Sequence, residues 1–121
     1  MNSDQLRDRT KAFAVRIVKL VGSLPSGSAA DVMGRQLLRS GTSVGANYRE
    51  ALRASSRKHF ISIIQIALRE ADETLYWLEL LIAAELLPES RLESLLDEAN
   101  QLVAILAATS RTAKDNRSQQ I

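Results

Sequence analysis

A chain of 121 residues with 45% hydrophobic and 25% charged side chains has the length and balance of one folded domain, which excludes wholesale disorder. It contains no cysteine, so disulfides, thiolate metal sites and cysteine nucleophiles are excluded. The net charge of +2 conceals a division: residues 1–58 carry eleven Lys/Arg against four Asp/Glu, whereas residues 59–121 carry five against ten. A basic half joined to an acidic half points to polyanion binding, subunit pairing or both.

Only five glycines and two prolines punctuate the chain, which suits a few long helices better than many short strands. The first helix is predicted over about 4–21. Leu6, Phe13, Ile17, Leu20 and Leu24 recur at spacings of three, four and seven, with charges on the other faces. Gly22 and Pro25 stop it, because proline cannot supply the next backbone donor. Ser28, with Asp31 three residues on, suggests an N-cap for a second helix over about 29–54. Its core stripe is Met33, Leu37, Gly41, Val44, Tyr48 and Ala51. Gly34, Gly41 and Gly45 would each weaken this helix by roughly 0.5–1 kcal/mol relative to alanine, so a close neighbouring backbone is expected there.

Ser55-Ser56 offers the N-cap of a third helix over about 57–86. One apolar stripe runs through Phe60, Ile64, Ala67, Ala71, Leu75, Leu78 and Ile82, and a second through Ile63, Ile66, Trp77 and Leu81. Together they exceed the arc that an isolated bundle needs to bury. Ile63, Ile66, Glu70, Trp77 and Leu81 are therefore expected at an interface with another copy of the chain. Pro88 marks the next corner, and Ser90-Arg-Leu-Glu93 reads as a capping box before a fourth helix over about 90–108. Residues 109–121 are polar and are expected to fray. Long amphipathic helices with short connections imply an all-α, antiparallel up-and-down four-helix bundle, homo-oligomeric through its third helix. No apolar run reaches the ~20 residues of a spanning helix and no signal-peptide core follows the first basic residues, so a cytoplasmic location away from membranes is expected.

The stretch Gly34-Arg-Gln-Leu-Leu-Arg-Ser-Gly-Thr-Ser-Val-Gly-Ala-Asn-Tyr-Arg-Glu-Ala51 resembles the signature of small bacterial four-helix bundle proteins. These were first noticed as reading frames within intervening sequences of 23S ribosomal RNA genes. The similarity extends to Phe13, Lys19-Leu20 and Leu24-Pro25 upstream, and to Ser56, Phe60, Ile66-Ala67, Glu70 and Glu73-Thr-Leu-Tyr-Trp-Leu-Glu-Leu-Leu81 downstream. The fourth helix matches by pattern only. The resemblance implies a homopentamer. It also implies kinship with the accessory variability determinant proteins of diversity-generating retroelements, basic pentamers that bind nucleic acid and a reverse transcriptase.

Arg35, Arg39, Arg49 and Arg53 fall on one side of the second helix, opposite its core stripe, over about 27 Å at 1.5 Å per residue. Arg57 and Lys58 follow just beyond. Guanidinium groups suit bidentate phosphate contacts, so this stripe is the candidate for an RNA or DNA backbone. The alternative is a solvated face paired with acids of helices three and four, in a purely protein-binding or scaffolding assembly. No aromatic residue interleaves the stripe, which argues against base stacking along it.

Glu70 interrupts the second apolar stripe of helix three and calls for an arginine or backbone partner. A Glu70/Glu73 metal or acid–base pair would need Glu-x-x-His repeats, and the single His59 supplies none. Ser40, Thr42 and Ser43 lack a histidine base, and no Gly-Lys-Ser/Thr follows the glycines. A non-enzymatic module without metal or cofactor is expected.

Overall fold

The computed structural model describes the backbone of residues 1–119 and the side chains of residues 1–116. Four helices account for the ordered secondary structure, with no strand among the described residues: α1 (Ser3–Gly22), α2 (Ser28–Ala51), α3 (Arg57–Ala83) and α4 (Glu89–Gln119).

The ends follow local chemistry, though not always the chemistry the sequence suggests. At α1, the Asn2 side chain accepts from the Gln5 backbone N–H at 2.8 Å, and the Gln5 side chain accepts from the Asn2 N–H at 2.9 Å. This reciprocal capping box satisfies two donors that a helix start leaves open. The expected Ser28 cap is corrected: Gly27, at φ +144°, precedes α2 and no side chain caps it. Ser56 does cap α3, accepting from the His59 N–H at 3.1 Å. The Ser90 capping box is also corrected, because α4 already begins at Glu89, directly after Pro88. Between α3 and α4, Glu85 stands at φ +60° while the N–H groups of Glu85 and Leu86 reach back to the carbonyls of Ile82 and Leu81. That is a Schellman stop with a non-glycine residue in the left-handed position.

The fourth helix differs most from expectation. It runs to Gln119 instead of ending near Ala108, and residues 120 and 121 lie outside the described residues. Residues 109–119 contain neither Gly nor Pro. Thr109 donates its hydroxyl to the Ile105 carbonyl, one turn back, at 2.8 Å. Ser110 is buried and extends the Leu102, Leu106 stripe by another four residues. A polar composition hides this continuation, because serine and alanine are small enough to keep the buried face.

Consecutive helices pack on one another: α1 on α2, α2 on α3, and α3 on α4, whereas α1 meets α4 at few points. The core gathers Phe13 and Ile17, Leu37 and Val44, Ile64 and Leu78, and Leu92, Leu102 and Leu106 from the four helices in turn, all essentially solvent-free. The glycines of α2 set the α1–α2 distance. A Cβ on Gly41 would stand 2.8 Å from Cγ1 and Cγ2 of Ile17, and one on Gly45 would stand 3.3 Å from the Thr10 backbone carbonyl. Gly34 similarly faces Leu24. Rising numbers on α1 thus meet falling numbers on α2. The close backbone that the glycines imply is that of α1.

Candidate nucleic-acid interface

The α1–α2 approach, with its small residues inside, leaves the long cationic side chains at the lip of a groove. Arg7 and Lys11 come from α1; Arg49 comes from α2, and Arg53 follows its C-cap Leu52. Thr42, Ala46 and Leu52 complete the walls, and Asp8 is the acid among them. The groove encloses about 530 Å³. Arg7 has two loose ion pairs, to Asp4 at 3.5 Å and Asp8 at 4.0 Å, both largely exposed. Exposed pairs of this kind contribute little and are readily exchanged for another anion. Lys11, Arg49 and Arg53 have no ion pair among the described residues.

The predicted single-helix stripe is therefore divided. Arg49 and Arg53 stand together in the groove. Arg35 lies at the far end of α2, beside Asp31, Pro25 and Leu38. Arg39 turns toward α3, where it donates to Glu70 at 3.1 Å and also to Glu73. Arg57 lines a separate groove at the start of α3, and Lys58 is exposed next to it. Arg7 and Lys11 did not enter the sequence-based stripe, since they lie on another helix. Their i, i+4 spacing on the side of α1 away from its core stripe was the available signal.

Glu70 finds the arginine it was expected to need. The carboxylates of Glu70 and Glu73 hold Arg39 between them, and Glu73 also accepts from the Trp77 indole N–H at 3.0 Å. Tyr76 sits edge-on to Trp77 with ring centroids 5.1 Å apart, and is 56% exposed. This binds Arg39 into an α2–α3 cross-link of half-exposed groups. The two glutamates face a guanidinium.

The interface stripe predicted on α3 is also only partly outward. Ile63 and Leu81 lie in the chain's own core, 5% and 0% exposed, because α3 is flanked by α2 on one side and α4 on the other. Ile66, Glu70 and Trp77 remain half-buried at its edge. Large apolar side chains that are exposed stand mostly elsewhere: Val15 and Val18 on α1, and Val32 and Leu38 on α2.

Among the described residues, two side chains have displaced titration. The Arg9 guanidinium is held above its ordinary value chiefly by its hydrogen bonds to Glu98, at 2.7 and 2.6 Å, which outweigh the opposing effect of burial. Burial pushes the Tyr48 phenol up; the nearby Arg7 opposes this and Asp4 adds to it. No helix among the described residues is long and apolar enough to cross a membrane.

The family model for 23S rRNA-intervening sequence proteins matches residues 4–108. A crystal structure of a protein of unknown function from the S23 ribosomal protein family of Bacteroides thetaiotaomicron VPI-5482 is similar throughout. It shares 43% identity at a TM-score of 0.85, over 92% of this chain and 99% of that one. No curated protein matches the chain.

Proposed function

Because the chain belongs to the 23S rRNA-intervening sequence protein family, we propose that it is a non-enzymatic, cytoplasmic nucleic-acid-binding module whose α1–α2 groove holds a phosphate backbone. The observation that carries this reading is the convergence of Arg7, Lys11, Arg49 and Arg53, from two helices, on one groove with a single acid. Cations held on both sides of a cleft match the regular charge of a phosphodiester chain better than a solvated single-helix stripe does. The family's name, with its reference to ribosomal RNA, favours RNA as the first polymer to test.

In this reading the four helices form an antiparallel up-and-down bundle. Support comes from the register pairs Thr10 with Gly45, Ile17 with Gly41 and Leu24 with Gly34. The bundle assembles as a homo-oligomer, five-membered on the family resemblance, through the half-buried Ile66, Glu70 and Trp77 edge of α3 and the exposed Tyr76 next to it. Such an assembly would present several grooves to one polymer and would suit an accessory to a nucleic-acid enzyme such as a reverse transcriptase.

Fluorescence anisotropy of labelled structured RNA and duplex DNA, titrated over a range of salt, tests the proposal. Four neutralised phosphates on B-form duplex give a log–log slope of about −3 to −4. Arg49→Glu with Arg53→Glu should abolish binding while leaving the helical circular dichroism intact. An absence of salt-sensitive binding to either polymer sinks the reading. It would leave the second one, a protein-binding scaffold, which the commitment of Arg39 to Glu70 and Glu73 favours.

A further inference from the structure

At its Arg53 end the basic groove does not close. Leu52 forms part of its wall and also part of the wall of a second groove, in which Phe60 at the start of α3 faces the last turns of α4. This second groove is larger, about 800 Å³, and its character is different. Ala54, Ile105 and Ala108 make apolar walls together with the half-buried Phe60 ring, while Thr112 and Asn116 supply hydrogen-bonding groups at the rim. The wall exists because α4 continues beyond Ala108; a helix ending there would leave Phe60 open on that side. Leu52 and Arg53 are neighbours in the chain, with Cα atoms only ~3.8 Å apart. The two grooves therefore meet at the Leu52–Arg53 turn.

We propose that the Phe60 groove seats an unpaired base of a single strand whose phosphates lie between α1 and α2. This rests on the nucleic-acid reading above and narrows it to a class of polymer. An aromatic ring with an apolar wall binds the flat face of any base, and hydroxyl and amide groups at the rim can meet the base edge. A base within a duplex is paired and stacked and cannot enter. The groove therefore confers preference for a single strand, which the cationic groove alone does not. The same geometry answers the lack of an aromatic residue in the arginine stripe of α2: the aromatic residue comes from the next helix, and the chain turn places it there.

The test compares one fluorescein-labelled RNA oligonucleotide as a single strand and as its full duplex, at fixed low salt, with the intact protein. The single strand should bind about tenfold more tightly, the scale of one base–aromatic stack. Phe60→Leu keeps an apolar side chain and should erase that preference without weakening the duplex. Ala108→Met, at an exposed position, should fill the groove without offering an aromatic face and do the same even if Phe60→Leu disturbs folding. Arg49→Glu should weaken both forms. Equal affinity of the unaltered protein for both forms, or a single-strand preference that survives Ala108→Met, overturns this inference and leaves the phosphate groove standing. Failure of both forms to bind overturns the groove reading itself, and this inference falls with it.

Discussion

Among individual residues, the glycines of α2 show how a single missing methyl sets an interhelical distance. Gly41→Ala adds helix propensity of about 1 kcal/mol, but the new Cβ meets a β-branched Ile17 that has little freedom to turn away. Overpacking costs about 1–3 kcal/mol, so a net loss near 1 kcal/mol is expected in a urea titration. Glu85 gives the opposite case. It occupies the left-handed region at the α3 stop, and Glu85→Gly should raise stability by about 1 kcal/mol in the same assay.

Tyr48 supplies a pH dependence whose sign follows from its raised titration. The fold favours the neutral phenol. Its contribution is complete below the ordinary tyrosine value of about 10 and is lost as pH rises through the higher value of the folded state. Thermal midpoints should therefore fall on the alkaline side of pH ~10, and Tyr48→Phe should flatten that part of the decline. Arg39 and Arg49 looked equivalent on a helical wheel, yet only contacts separate them. Arg39→Ala should weaken RNA binding much less than Arg49→Ala, since Arg39 already serves Glu70 and Glu73.

Whole helices show which signals a sequence carries openly. The first three helices lie within about three residues of the spans expected from periodicity, because breaks at Gly22, Pro25 and Ser56 coincide with changes of pattern. The partner of Glu70 was also foreseeable, since a carboxylate within an apolar stripe demands a cation. The length of α4 was not. Thr109, Ser110 and Ala113 read as a polar tail in one dimension, but in three dimensions they continue a stripe that already covers α3. Removing residues 109–121 should lower stability by about 1–2 kcal/mol, near 4 °C of thermal midpoint for each, and should open the Phe60 groove to solvent. An unchanged midpoint would mean that these turns merely ride on the fold.

Taken as a whole, the molecule assembles its candidate site from neighbours that periodicity cannot pair. Arg7 and Lys11 join Arg49 and Arg53 only once the glycines bring α1 against α2. Likewise, the apolar width of α3 announced an unmet need for burial, but not which surfaces would meet it. Ile63 and Leu81 are covered by the chain itself, while Ile66 and Trp77 are left at the edge. Light scattering at micromolar concentration should report a homo-oligomer, and Trp77→Arg should shift it toward smaller species while preserving helical content. A wild-type protein that scatters as a stable monomer would remove the case for assembly.

The sparse meeting of α1 with α4 has a dynamic consequence. Side chains bridge it: Arg9 to Glu98 and Gln101, Arg16 to Ser94, and Arg91 to Ser23. Such a polar latch releases at far lower cost than a packed apolar seam, and the Arg9–Glu98 pair weakens further as salt rises. Breathing of the fold should therefore begin along this edge, with amide exchange faster in α1 than in α3. A polyanion bridging Arg7 and Lys11 to Arg49 and Arg53 would tie α1 back to α2 from the outer side. Its arrival should slow α1 exchange in proportion to occupancy, so the most easily loosened helix would also be the one that reports a bound ligand.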